Sequence, residues 1–154
     1  MLYKLYQQHI FPHLLNQVMQ TPSLMDLRRE LLLDISGEVL EIGFGTGLNL
    51  PFYQSVDKVY ALEPNPTIFK LAESRIQQAA FQVEHIQASA EALPFAENSL
   101  ENIVSTWTLC SIAELEQSLQ EIYRVLQPGG TLHVVEHVLN LSLIHISEPT
   151  RQEA

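Results

Sequence analysis

A largely apolar segment that runs directly into a glycine-rich loop constrains this chain more than any other feature of its sequence. The segment is 39–42, and the loop reads Gly43-Phe44-Gly45-Thr46-Gly47. Apolar runs of this kind are typical of strands buried in a parallel sheet, and glycines let the backbone approach a ligand closely. Glu63 ends the next predicted strand about 20 residues later, where one carboxylate can bind two ribose hydroxyls. The pattern predicts a parallel α/β fold that holds a nucleoside by its sugar.

The charge balance and the single cysteine limit the classes of partner and compartment. With 154 residues, of which 46% are hydrophobic, the chain suits one globular core. Its 18 acidic and 8 basic residues give a net charge of -10, which argues against a nucleic acid or an anionic membrane as the main partner. Cys110 is the single cysteine, which excludes an internal disulfide. No apolar stretch has the length of a membrane span. We therefore expect a cytoplasmic protein, without an integral membrane segment, that acts on a small molecule.

Helical and strand patterns alternate along the chain after an all-helical start. Apolar residues at helical spacing predict an amphipathic helix over 2–19, and a second helix is predicted over 24–34. Strands are predicted at 39–42, 59–62, 83–87, 103–105 and 131–135, helices at 66–80 and 113–126, and a turn at 128–130. This alternation predicts a doubly wound parallel sheet covered by helices on both faces. The ligand should lie at the carboxyl ends of the strands.

The glycine loop lacks the residues of two common phosphate-binding motifs. A dinucleotide fingerprint requires glycine at position 48, where this chain has Leu48. A triphosphate-binding loop requires a lysine followed by serine or threonine, and neither is present there. The loop therefore predicts a nucleoside that carries little phosphate, and S-adenosylmethionine is the commonest cofactor of this kind.

Four motifs occur in the order and spacing of one protein family. They are 39–47, 61–66, 88–95 and 123–130. Through them the chain resembles the class I S-adenosylmethionine-dependent methyltransferases that act on small molecules, over roughly 39–138. Two further stretches, 105–111 and 135–138, resemble more narrowly the branch that contains the thiol S-methyltransferases. C-methyltransferases of quinone biosynthesis resemble the chain a little less closely.

The resemblance implies a domain organisation. Residues 37–140 would form a Rossmann-like sheet with strand order 3-2-1-4-5, and the family's strands 6 and 7 would be missing. Residues 1–36 would form an N-terminal helical cap, whose first helix is either a lid over the site or plain packing against the sheet. The stretch 141–154 resembles the translated adapter of a sequencing library, so we expect a non-native tail. Strand five would then be an unpaired edge that is prone to aggregation.

The resemblance also implies which residues bind S-adenosylmethionine. Gly43, Gly45 and Gly47 would bend under the methionine part of the cofactor, and the region of Glu41 would hold its amino group. For Glu41 an equally weighted alternative is a carboxylate satisfied by backbone N–H groups of the loop. Glu63 would bind the ribose hydroxyls. Its alternative role, as the cap of a turn, is less favoured because its distance from the glycines suits ribose.

Three residues further along would contact the adenine, and one would serve catalysis. Ala90 and Glu91 would lie along the ring, although a glutamate in a loop is more often solvated. Ser89 stands where many relatives have aspartate, and its hydroxyl can still accept a hydrogen bond from the adenine amino group. His137 follows strand five, where it would take a proton from the nucleophile; the alternative is a locally hydrogen-bonded histidine. No metal site is expected, because His9 and His13 lack a third ligand.

The acceptor and the reaction leave several functions open. Methyl transfer from a sulfonium needs alignment more than a strong base, and a thiol becomes nucleophilic near neutral pH with modest help. A small thiol or another soft nucleophile is therefore the first expectation, with a quinone-type C-methyltransferase as the alternative. Two other classes are an NAD-dependent oxidoreductase, which Leu48 disfavours, and a non-catalytic module that binds S-adenosylmethionine. Within the same region, Trp107 is interpreted as core or as a wall of the site, and Cys110 as a buried small side chain.

Overall fold

A parallel sheet of five strands forms the centre of the fold. The computed structural model of the protein describes residues 16–136. Its helices are α1 (Pro22–Leu32), α2 (Pro66–Lys70), α3 (Glu73–Gln78) and α4 (Leu115–Val125). Its strands are β1 (Ser36–Ile42), β2 (Ser55–Leu62), β3 (Gln82–Ile86), β4 (Leu100–Thr106) and β5 (Leu126–Val135). Two short 3-10 turns, Leu50–Phe52 and Leu109–Ser111, follow β1 and β4.

The strand order is β3-β2-β1-β4-β5, and every pairing is parallel, which confirms the predicted doubly wound sheet. The register aligns the carboxyl ends of the three central strands, because Ile42 lies opposite Leu62 on one side and Ser105 on the other. The residues that follow these three are therefore neighbours at one edge of the sheet. That edge carries the glycine loop, Glu63 and Thr106.

Alternation along β1 divides the core into two layers, one on each face of the sheet. Val39 belongs to one layer and Leu40 to the other, and both are fully buried. Leu32 of α1 packs in the first layer, while Ile122 and Val125 of α4 pack in the second. Burial of each such side chain contributes roughly 1.5–3 kcal/mol. The sheet that supports the loop is thus held rigidly from both sides.

The helix predicted over 66–80 is two short helices. After α2 the chain tightens, since the N–H of Leu71 donates to Ile68 and that of Ala72 donates to Phe69. This break brings Ala72, which is fully buried, against the glycine loop. Arg75 of α3 then donates to the carbonyl of Thr46 at 2.9 Å. Contact with the loop has overridden the continuous helical pattern.

The turn predicted at 128–130 lies inside β5. That strand begins at Leu126, opposite Leu100, and its next partner pair is Thr131 with Asn102. The segment between them bulges out of register, and Gly129 adopts a φ of +85°. The glycine and proline signals therefore mark a bulge within the strand, and the strand starts five residues earlier than predicted.

Several predictions fall on residues that the structure does not describe. They concern most of the helix predicted over 2–19, the pair His9 and His13, the proposed base His137 and the tail at 141–154. The predicted division into cap, core and tail therefore stays a prediction. Between residues 16 and 136, no helix combines the length and apolarity that crossing a bilayer requires.

Candidate functional site

A cavity of about 490 Å³ opens where β1, β2 and β4 end. Seven of the eight residues expected to bind the cofactor line it: Glu41, Gly43, Gly45, Glu63, Ser89, Ala90 and Glu91. Gly47 is absent from that lining, and His137 lies outside the described residues. The fold therefore brings together residues that are distant in sequence at the edge where a ligand of a parallel sheet is expected.

The glycine loop is tied to the end of β2. Both Gly43 and Phe44 donate their backbone N–H groups to the carbonyl of Leu62, at 3.1 Å each. Gly43 has a φ of +68°, and a Cβ there would overlap the side chain of Thr108. Gly45 has a φ of +58°, and the nearest atom to a Cβ there is a backbone oxygen at 3.8 Å. The loop is thus closely packed at Gly43 and open at Gly45.

Gly47 packs against the protein interior. A Cβ at this position would lie 3.2 Å from atoms of Ala72, Leu50 and Phe44, and its φ is +76°. Contacts this close leave little room for any side chain. Because Gly47 has no side chain, the loop can pack closely against Ala72 at the break between α2 and α3.

Glu63 presents its carboxylate at the edge of the cavity. The side chain is 7% exposed. Its Oε2 accepts a hydrogen bond from the N–H of Gly45 at 3.0 Å, and its Oε1 accepts one from the N–H of Asn65 at 2.9 Å. Burial raises the pKa of this carboxyl, and the two backbone donors oppose that shift. Because each oxygen has two lone pairs, each can accept one further donor from a ligand.

Glu41 belongs to a buried network of side chains below the loop. It is 2% exposed, its Oε1 accepts from Asn49 Nδ2 at 3.0 Å, and its Oε2 accepts from the hydroxyl of Tyr53 at 2.8 Å. The expected alternative, backbone N–H groups as partners, is wrong because both oxygens accept from side chains, while the N–H groups of Gly43 and Gly45 donate to Leu62 and Glu63. Burial raises the pKa of Glu41 to about 7.

Arg28 reaches this network from α1 and was not singled out from the sequence. It is 4% exposed and lines the cavity. Its Nη1 donates to Asn49 Oδ1 at 2.6 Å and to Thr106 Oγ1 at 2.9 Å, and its guanidinium carbon lies 4.6 Å from the centroid of the Trp107 ring. Nothing in the local sequence distinguishes this arginine from its exposed neighbour, Arg29. The two arginines differ because the fold places Asn49 and Thr106 beside Arg28.

The segment between β3 and β4 forms the opposite side of the cavity. Ala90 is 5% exposed and packs in the core layer that contains α4. Ser89 hydrogen-bonds to Glu91 and thereby lowers the pKa of that carboxyl. The carbonyl of Glu91 accepts from Gln117 of α4 at 2.9 Å. Since the Ser89 hydroxyl is a donor to Glu91, its oxygen can still accept from a ligand.

The segment after β4 forms a further wall and is fixed by β5. Trp107 lines the cavity with a φ of +51°, and its N–H donates to the carbonyl of Val135 at 2.8 Å. Glu136 Oε1 accepts from the N–H groups of Thr108 at 2.7 Å and Leu109 at 2.8 Å. Cys110, expected to be buried, is exposed because the 3-10 turn carries it to the surface.

Comparison with known proteins gives a consistent result. Residues 40–134 match the model of the methyltransferase domain family. Human thiol S-methyltransferase TMT1B is 36% identical over 122 residues, which cover 72% of this chain and 50% of that protein. The ubiquinone/menaquinone biosynthesis C-methyltransferase UbiE of Escherichia fergusonii is 35% identical over 121 residues, which cover 71% of this chain and 48% of that protein.

A solved structure shares the fold. The S-adenosylmethionine-dependent methyltransferase from Aquifex aeolicus superposes with a TM-score of 0.65 at 20% identity, covering 81% of this chain and 72% of that one. The chain spans about half the length of the curated relatives that it matches.

Proposed function

The chain belongs to the class I S-adenosylmethionine-dependent methyltransferases, and on that premise we propose that its cavity binds S-adenosylmethionine for methyl transfer to a small molecule. We further propose that the acceptor is a thiol or another soft nucleophile. Family membership removes the NAD-dependent oxidoreductase from the alternatives. A non-catalytic module that binds S-adenosylmethionine stays open, and the acceptor assay below tests it.

One observation carries the cofactor proposal: the carboxylate of Glu63 is held next to the glycine loop. Its hydrogen bond from the N–H of Gly45 fixes the carboxylate beside the open backbone of the loop. Its remaining lone pairs can accept hydrogen bonds from both hydroxyls of a ribose. A hydrocarbon or a simple anion has no donors to offer these lone pairs. A nucleoside bound through its sugar is the ligand that this geometry favours.

The volume and the lining of the cavity support the proposed cofactor. Its volume of about 490 Å³ lies within the usual range of small-molecule sites. The absence of a side chain at Gly45 leaves the backbone open where the methionine part would pass. Glu63 would hold the ribose, Glu41 would attract the amino group, and Ser89, Ala90 and Glu91 would flank the adenine. These roles are proposals that the geometry supports.

The chain's contribution to catalysis is alignment and the exclusion of water. When bound, S-adenosylmethionine supplies a methyl group that its sulfonium already activates. Leu48, Trp107 and Ile112 give the cavity apolar walls, which reduce the access of water to the reacting atoms. Fixed geometry of this kind can lower a barrier by about 7–11 kcal/mol in the best intramolecular cases.

The character of the cavity favours a soft acceptor. Among the described residues that line it there is no histidine, lysine or cysteine. Both oxygens of Glu41 and of Glu63 already accept hydrogen bonds, and both carboxylates are assigned to the cofactor in this proposal, so neither is assigned as the base. A thiol needs less help than a carbon nucleophile to lose its proton near neutral pH. We propose that His137 accepts the proton of the thiol.

The setting that we propose is the cytoplasm. The single cysteine suits a reducing compartment, and the net charge of -10 disfavours a nucleic acid as a partner.

Binding calorimetry with S-adenosylhomocysteine tests the cofactor site. We expect binding by the unaltered protein and a loss of affinity of about tenfold or more in Glu63→Gln, because a charge-assisted acceptor becomes a neutral amide. Glu84→Gln is the matched control, since Glu84 is an exposed glutamate on the adjacent strand, paired with Lys58 at 2.6 Å. Equal affinity in all three proteins would remove Glu63 from the site.

An acceptor panel with radiolabelled S-adenosylmethionine tests the reaction. Small alkyl and aryl thiols should accept the label, and quinols should accept it more slowly. Label transfer to the quinols alone would make the protein a C-methyltransferase. Cofactor binding with no transfer to any compound would favour the non-catalytic module.

A further inference from the structure

Arg28 brings a buried positive charge to the part of the cavity between the ends of β1 and β4. Burial of a guanidinium is unfavourable unless its donors find partners. Within residues 16–136 the hydrogen bonds of Arg28 run from Nη1 to two neutral acceptors, and the buried Nε has no partner. The edge of the guanidinium formed by Nε and Nη2 is one of the two edges that bind a carboxylate in a bidentate manner.

The opposite charge lies one side chain away. Asn49 accepts from Arg28 through its Oδ1 and donates to Glu41 through its Nδ2, and all hydrogen-bonding atoms in this chain are buried. Arg28 and Glu41 both line the cavity. A cation and an anion spaced by one amide match the two charges of an α-amino acid, whose carboxylate and ammonium groups share one carbon.

The guanidinium is also fixed in orientation. The Trp107 ring lies against it with a centroid distance of 4.6 Å. The backbone of Trp107 is held in its left-handed conformation by the hydrogen bond to Val135. A donor held in place in this way loses little conformational freedom when a ligand binds.

We propose that Arg28 binds the carboxylate at the amino-acid end of S-adenosylmethionine. The proposal rests on the proposed function, and it extends the site to α1, outside the matched methyltransferase domain. Arg28 would then distinguish the complete cofactor from adenosine compounds that lack the amino acid.

The test compares S-adenosylhomocysteine with 5′-methylthioadenosine, which keeps the nucleoside and the thioether but lacks the amino-acid end. In Arg28→Met we expect affinity for S-adenosylhomocysteine to fall by about ten- to a hundredfold, while 5′-methylthioadenosine changes by no more than about threefold. Arg29→Met is the matched control, because Arg29 is the next residue of α1 and forms an exposed ion pair with Asp26 at 2.6 Å. It should leave both affinities unchanged.

The ratio of the two affinities is the decisive quantity. Partial unfolding of a variant reduces both affinities by the same factor, so it cancels in the ratio. If Arg28→Met does not fold, Arg28→Lys takes its place: it keeps the charge but loses the planar fork, so the ratio should fall by about three- to tenfold. An unchanged ratio, including one in which both ligands weaken equally, would overturn the role of Arg28 and leave the nucleoside site intact. Failure of the unaltered protein to bind either ligand would overturn the proposed function and this inference together.

Discussion

Gly43 shows how narrowly single residues are specified at the end of β1. Two requirements meet there, a positive φ and the absence of a Cβ, because the Thr108 side chain occupies the adjoining space. Gly37, at the other end of the same strand, has a similar φ of +74° and nothing within 4 Å of a Cβ. Gly37 therefore meets only the conformational requirement, whereas Gly43 meets both the conformational and the packing requirement.

We expect Gly43→Ala to destabilise the protein more than Gly37→Ala does. In both variants the strain of an alanine in a left-handed backbone should lower the free energy of unfolding by about 1–2 kcal/mol. In Gly43→Ala, overlap with Thr108 should lower it by about a further 1–3 kcal/mol. Urea denaturation measures both values, and only Gly43→Ala should also weaken the binding of S-adenosylhomocysteine. Equal losses would show that Thr108 moves aside freely.

At the scale of elements, local patterns predicted the sheet better than the connections. The apolar runs at β1 and β2 and the distance from the glycine loop to Glu63 were sufficient to predict a parallel sheet with a cavity at its carboxyl edge, whereas the strand order was implied by the family resemblance. The break between α2 and α3 depends on contact of Ala72 with the loop, which no local pattern contains. Arg28 escaped prediction for the same reason, because its burial depends on residues far along the chain.

The 3-10 turn Leu109–Ser111 depends on a residue of another element. Glu136 follows β5 and accepts two backbone N–H groups at the start of that turn. We expect Glu136→Ala to lower the free energy of unfolding by about 1.5–3 kcal/mol and to accelerate amide exchange at Thr108 and Leu109. Glu136→Gln keeps an acceptor oxygen and should retain at least half of the protection. Unaltered amide exchange in the alanine variant would show that the turn is stable without Glu136.

At the scale of the whole molecule, Glu41 links folding to pH. Its pKa in the folded protein is about 7, above the ordinary value of 4.5, because burial disfavours the charged form. The folded state therefore binds the proton more tightly than the unfolded state. The stability contributed by this group is complete below about pH 4.5 and is lost as the pH rises through about 7.

We expect this group to change the free energy of unfolding by up to about 3 kcal/mol between about pH 5 and about pH 8. Urea denaturation of the protein and of Glu41→Gln at both pH values isolates the contribution of Glu41 to the free energy of unfolding, because the two proteins share all other titrating groups. The advantage of the unaltered protein over the variant should be larger at the lower pH. An advantage that is constant with pH would show that Glu41 keeps its ordinary pKa.

The exposed position of Cys110 offers a spectroscopic handle. It is the single cysteine of the chain, and it lies in the 3-10 turn Leu109–Ser111. Ser111 of this turn and Thr108, which precedes it, line the cavity. A maleimide fluorophore would therefore attach at one known point beside the site, without mutagenesis. Because partial desolvation and the nearby Glu136 charge raise the pKa of this thiol, labelling should proceed faster in mildly alkaline buffer. The emission of the attached dye would then follow ligand occupancy in real time.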